Sequence, residues 1–212
     1  MNGTQPKGAT SYKETAFGVI SHQDLVPLEL QGVKKGLEFI HQEIKLERSV
    51  QITPTFIKQL HAVTFGWIFP TWAGKFRTIA VTYSGKEAPF HFRVPELLHN
   101  LCADLNTRLT NLPAPSSANF IDEAVHLLAW FQHQFVFIHP FQDYNGRTAR
   151  LLTVLLLLTL ELPPVEIGVT TEKDRAQYLV AMHQGDGGDL SLLEKLISDA
   201  LTVGLDATQS PK

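Results

Sequence analysis

Two apolar segments separated by a dense polar loop constrain this chain more than any other feature. Ala118 to Ile138 reads as one long buried helix, and Leu151 to Leu160 is almost wholly apolar. Around and between them runs Phe137-Ile138-His139-Pro140-Phe141-Gln142-Asp143-Tyr144-Asn145-Gly146-Arg147-Thr148-Ala149-Arg150. A connection between core helices has no structural need for His139, Asp143, Asn145, Arg147 and Arg150, since each buried polar group requires a partner. The loop is therefore the candidate functional site.

Its chemistry can be read residue by residue. Pro140 forces the backbone out of the helical region after His139. Asp143, Asn145 and Gly146 are turn formers, and a helix resuming near Arg147 points its free N–H groups back into the loop. Such a helix start is an anion site by geometry and dipole. Arg147 and Arg150 are three apart, share one face and can reach an oligophosphate. Asp143 is a hard oxygen ligand suited to Mg²⁺, and His139 is a base that works near neutral pH. Singly, each of these residues is commonly structural. Their conjunction points to nucleotide chemistry.

The rest of the chain sets the frame. Its 212 residues suffice for one large domain or a domain with a short extension. With 44% hydrophobic and 18% charged residues it has an ordinary globular composition, and its net charge of −3 gives no electrostatic case for nucleic-acid binding. The single Cys102 excludes an internal disulfide and reads as a small buried hydrophobe in a reducing compartment. Met1 to Tyr12 lacks an apolar signal region, and Leu151 to Leu160 is too short to span a bilayer, so no membrane contact and a cytoplasmic location are expected.

Helical spacing dominates the pattern. From Tyr12 to Leu30 it is broken by Gly18 and Pro27, which predicts a short helix, a turn and a second helix; Glu29 to Arg48 then reads as one amphipathic helix. Thr53-Pro54 is a helix start. Thr78 to Tyr83 and Pro89 to Val94 are strand-like around Ser84-Gly85-Lys86, a single hairpin that must lean on the helices or serve as a binding edge. Helices follow from Pro95, Ala118, Thr171 and Leu190. The expected fold is all-α, a helical bundle with one β-hairpin flap.

His139 to Arg150 resembles the signature of the Fic (filamentation-induced-by-cAMP) family, HPFx(D/E)GNGRxxR. Eight of its nine specified positions match, at His139, Pro140, Phe141, Asp143, Asn145, Gly146, Arg147 and Arg150; Tyr144 stands where the pattern has its first glycine. Gly74-Lys75-Phe76-Arg77 looks like the family's entry to its flap, and the likeness covers about Leu30 to Leu201. The resemblance implies a Fic-like helical domain over residues 30–212 after an N-terminal extension over 1–29. It also implies transfer of AMP from ATP to a Ser, Thr or Tyr hydroxyl of a target protein. By position, His139 would be the general base and Asp143 would hold Mg²⁺. Asn145 and Gly146 would line the anion hole, while Arg147 and Arg150 bind the departing phosphates. The flap, represented by Ile79, Val81, Phe90 and Phe92, would align the target by adding it as a strand.

A second, shorter likeness lies upstream. Thr10-Ser11-Tyr12-Lys13-Glu14 is similar to the family's inhibitory pattern (S/T)xxxE(G/N), with Thr15 in place of the last residue. It implies an inhibitory helix whose glutamate, Glu14, pairs with the last arginine of the signature. Three rival readings stand beside the main one: a metal hydrolase built on His126, His133 and His139; the same fold with UTP or CDP-choline as donor, motivated by Tyr144; and a peptide-binding module with a relic site. The sequence fixes neither target nor oligomeric state, and a homo-oligomer is compatible with it.

Overall fold

A computed structural model describes residues 12–46, 51–165 and 171–209. Among these described residues the frame is seven helices, α1 (His22–Leu46), α2 (Pro54–Phe65), α3 (Val94–Thr110), α4 (Phe120–Ile138), α5 (Asn145–Thr159), α6 (Glu172–Gly185) and α7 (Ser191–Gln209). The long apolar helix read from the sequence is α4, and it packs against α3, α5 and α7. Its Ala124, Leu128, Phe131 and Phe135 are fully buried. Truncating a phenylalanine in such a position removes about 3–5 kcal/mol, so α4 gives the loop at its end a firmly packed support.

Polar contacts fix how the helices meet. Gln132 on α4 donates from Nε2 to the Tyr178 hydroxyl on α6 at 3.0 Å and accepts from Thr153 Oγ1 on α5 at 2.9 Å. All three residues are buried and mutually satisfied, which sets register without leaving an unpaired group. On the other side, Gly32 and Gly36 let α1 lie directly on α2, because a Cβ at either would collide with Thr64. Helix α2 begins as the sequence predicts, with Thr53 Oγ1 accepting from the Phe56 N–H at 3.1 Å and Pro54 in the first turn.

Two segments depart from the expected pattern. Where a short helix was expected after Tyr12, the chain forms β1 (Tyr12–Thr15) and β2 (Gly18–Ser21), paired antiparallel with Tyr12 opposite Ser21. Thr15 Oγ1 accepts from the Phe17 N–H at 3.0 Å and donates to the Gly18 carbonyl at 2.8 Å, and Gly18 takes φ +92°. This local turn chemistry competes with helix formation and wins, because only glycine adopts that backbone region without cost. The hairpin is docked through Ala16 N–H to Ile68 O at 2.8 Å and an edge-on contact of Phe17 with Trp67. Thus Tyr12–Ser21 is a hairpin and not a helix, and α1 runs unbroken through Pro27.

The flap is the second departure. Only β3 (Thr82–Tyr83) and β4 (Lys86–Glu87) pair, extended by Ala88 N–H to Val81 O at 3.0 Å; His91–Arg93 is a 3₁₀ turn into α3. The expected strands at Thr78 to Val81 and Pro89 to Val94 do not form. Buried Arg77 accounts for this, donating from Nη1 to Ile79 O at 3.0 Å and from Nη2 to Pro89 O at 2.5 Å. Both legs of the flap spend carbonyls on one guanidinium, and Pro89 has no N–H to return.

Candidate active site

The polar loop is held rigidly. His139 ends α4 in the left-handed conformation, φ 51° and ψ 59°, with its N–H on Phe135 O at 3.2 Å. Phe141 is fully buried and stacked on His61, ring centroids 3.8 Å apart. Asn145 closes the loop on itself: Oδ1 accepts from the Phe141 N–H and Nδ2 donates to Phe141 O, both at 2.9 Å. Its side chain is thereby committed to loop shape, which leaves only its backbone N–H facing outward from the helix start. His61 Nδ1 accepts from the Gly74 N–H at 2.9 Å, which leaves Nε2 to donate to Asp143 O at 3.2 Å. Burial lowers the His61 pKa to about 4, so this brace is neutral.

Arg77 anchors the loop from the flap side. Its Nε donates to His139 O at 2.7 Å, its Nη2 reaches Ile138 O at 3.3 Å, and its backbone N–H donates to Pro140 O at 2.9 Å. One side chain thus caps the carbonyl end of α4 and ties loop to flap.

The imidazole of His139 is held in one tautomer. Its Nδ1 lies 3.1 Å from Val136 O, and a carbonyl can only accept, so Nδ1 carries the proton and Nε2 keeps its lone pair. Burial, and to a lesser degree the charge of Arg77, lower its pKa below the usual histidine value. Tyr83 of the flap stacks on the imidazole at 4.5 Å, which limits ring rotation.

Beyond His139 opens a cleft of about 470 Å³ that also takes in Asp143, Gly146, Arg147, Arg150 and Arg175. Helix α5 starts in it, so the N–H groups of Asn145, Gly146 and Arg147 have no acceptor within the helix. Arg147 Nη1 is buried without a hydrogen-bond partner among the described residues, an orphan donor that an anion would satisfy. Arg175 on α6 adds a cation that the loop signature does not contain.

Tyr144 takes φ 61° and ψ 17°, the left-handed region that the glycine of the pattern would occupy freely. Its strain of about 1–2 kcal/mol is offset by the ring, which stacks on Phe65 at 4.2 Å and fills a second apolar cluster with Leu25, Ile68 and Phe69. The Tyr144 hydroxyl donates to Glu29 Oε1 at 2.6 Å, and Glu29 Oε2 lies 2.8 Å from Arg147 Nη2. Glu29 is a buried carboxylate on α1, in phase with the inward residues Leu25, Gly32, Gly36 and Ile40. An acid in an apolar stripe was the sequence signal for it. Lys13, on β1, donates to Asp143 Oδ2 at 2.5 Å and lies over the Tyr144 ring at 4.8 Å. Asp143 Oδ1 accepts from the Tyr144 N–H at 2.7 Å.

The remaining expected residues fall around this centre. Ile79, Phe90 and Phe92 are exposed, with Phe90 and Phe92 stacked face to face, while Val81 is half-buried. Glu14 is exposed on β1 and makes no ion pair among the described residues; Thr10 lies outside them. His126 pairs with Glu194 and His133 with Asp186, and neither joins His139 in a ligand cluster among the described residues.

The Fic/DOC family model matches residues 51–157, half of the chain, from just before α2 to the last turns of α5. The chain belongs to the Fic/DOC family. "Protein adenylyltransferase fic-1" of Caenorhabditis briggsae is 32% identical over 162 residues, covering 76% of this chain and 30% of that protein. "Protein adenylyltransferase Fic" of Nematostella vectensis is 28% identical over 194 residues, 92% of this chain and 42% of the relative. The chain therefore spans about a third of the length of the curated relatives it matches. Among solved structures, Fic-1 (residues 134–508) of C. elegans superposes with a TM-score of 0.69 at 26% identity, over 85% of this chain and 51% of that one. BepC of Bartonella tribocorum, solved with bound AMPPNP, gives 0.66 at 19% identity over 91% and 93% and shares the fold. Lys13, Glu29 and Arg175 lie outside the stretch that matches the family model.

Proposed function

We propose that this Fic/DOC protein transfers AMP from ATP to a hydroxyl of a target protein. What supports it is one arrangement: a neutral His139 with its Nε2 lone pair available shares a cleft with the α5 N-terminus and the arginines 147 and 150. The relatives named above as protein adenylyltransferases agree with that chemistry.

The target hydroxyl gives its proton to His139 Nε2 as its oxygen attacks the α-phosphorus. The new O–P bond forms as the bond to the bridging oxygen breaks, and pyrophosphate leaves. The free N–H groups at the start of α5 hold the α- and β-phosphate oxygens, and the arginines take the charge that builds on the leaving group. Asp143 fits Mg²⁺, which binds through one or two carboxylates plus substrate phosphates; when bound the ion supplies further neutralisation of phosphate charge. The exposed Ile79, Phe90 and Phe92 give the target an apolar surface on the segment whose Tyr83 stacks on His139.

The test is intact-mass analysis after incubation with Mg²⁺ and ATP, UTP or CDP-choline in parallel. Addition of one AMP with ATP, lost in His139→Ala, is expected. Modification by another donor alone would replace AMP transfer with the corresponding transfer.

A further inference from the structure

Asp143, the one carboxylate of the signature, already has a cation on it. Lys13 Nζ sits 2.5 Å from Asp143 Oδ2 and lines the cleft that holds His139, Arg147 and Arg150. It is held there from three sides: β1 is paired with β2, the hairpin is bonded to Ile68 O, and the ammonium lies 4.8 Å from the Tyr144 ring centre and 5.8 Å from that of Phe69. The hairpin anchors the backbone of Lys13 at the site and leaves its side chain free to move there.

We infer that Lys13 is a donor-phosphate-binding residue of this cleft, an internal ammonium that stands on Asp143 and competes with a divalent ion for the same oxygen. The inference rests on reading the cleft as a nucleotide site. A Mg²⁺ on Asp143 Oδ2 would lie about 2 Å from that oxygen. Two cations held by one oxygen at these distances repel strongly, so the oxygen serves one at a time. When a metal takes Asp143, the flexible lysine stem swings the ammonium to the phosphates; when none is present, Lys13 and the arginines neutralise them without it. Its place outside the family-matched residues makes this a property of the chain's own N-terminal hairpin.

The experiment measures two bindings in the full chain, AMPPNP by calorimetry in EDTA and Mn²⁺ alone by electron paramagnetic resonance. Wild type, Lys13→Ala and Lys13→Arg are compared, with circular dichroism confirming the fold of each. Loss of one partly exposed charge contact is worth about fivefold. Lys13→Ala is expected to bind AMPPNP about fivefold more weakly in EDTA and Mn²⁺ several-fold more tightly, while Lys13→Arg stays near wild type in EDTA. Both shifts are required. Unchanged affinities overturn the inference, and so does tighter AMPPNP binding by Lys13→Ala in EDTA, which would make Lys13 an obstruction. Wild type that binds AMPPNP neither in EDTA nor with Mg²⁺ would instead overturn the reading of the cleft.

Discussion

The hydroxyl of Tyr144 donates to Glu29 Oε1 at 2.6 Å, linking the one residue that departs from the loop signature to a buried carboxylate on α1. The departure is thus integrated into the fold. Tyr144→Phe strands the buried carboxylate oxygen and is expected to lower stability by about 1–3 kcal/mol. Tyr144→Gly restores the signature and relieves the φ strain, yet it removes a buried aromatic ring. The ring term of about 3–5 kcal/mol exceeds the strain of about 1–2, so the glycine variant is expected to be the less stable of the two. Urea unfolding midpoints check both; a glycine variant more stable than wild type would contradict this account.

Arg77 is the second point of test. It donates to the carbonyls of Ile138, His139, Ile79 and Pro89, and no other side chain joins the flap to the loop in this way among the described residues. Arg77→Lys keeps a charge but not the fork of donors. It is expected to cost about 2–4 kcal/mol in stability through the stranded carbonyls, and to reduce transfer because His139 is no longer fixed. Thermal melts and single-turnover labelling read the two effects separately.

Acid should loosen the loop. The unfolded chain takes up a proton at His61 near pH 6.5, whereas the native residue, buried and bonded to Gly74 and Asp143, resists protonation until about pH 4. Between those values the unfolded state binds more protons, so stability falls as pH drops through the window, by about 3 kcal/mol for this group. Comparing the pH dependence of urea unfolding in wild type and His61→Gln isolates that contribution, and the variant should show the shallower dependence. Since the His139 pKa is also lowered, the acid limb of the transfer rate should lie below pH 6.5.

The flap surface makes a separate claim. Phe92 is 70% exposed and stacked on Phe90, so its truncation removes little folding energy. Phe92→Ala is expected to leave AMPPNP affinity and melting temperature near wild type while weakening modification of a protein target several-fold. Equal loss of auto-modification and nucleotide binding would place the residue elsewhere in the mechanism.

Legibility in the sequence followed the range of the interactions. The helices were readable because apolar spacing and local caps such as Thr53-Pro54 act over a few residues. The loop chemistry was readable because His139, Asp143, Arg147 and Arg150 are neighbours in the chain. Long-range partners were not. Arg77 joins the flap to His139 across 62 positions. Two local features also escaped the periodicity: the bonds from Arg77 to Ile79 O and Pro89 O, and the Thr15–Gly18 turn that made a hairpin of an expected helix. Glu29 and Lys13 reach the loop across more than a hundred residues, which the sequence pattern does not reveal.

The central claim is that His139 is the base of an AMP transfer carried out in the cleft at the start of α5. The most direct measurement is single-turnover modification of a protein target with ATP and Mg²⁺ by wild type and His139→Ala, at nucleotide concentrations that saturate both. The expected result is a loss of about 10²–10⁴ in rate with AMPPNP affinity retained. Wild-type rates in the variant would contradict the account.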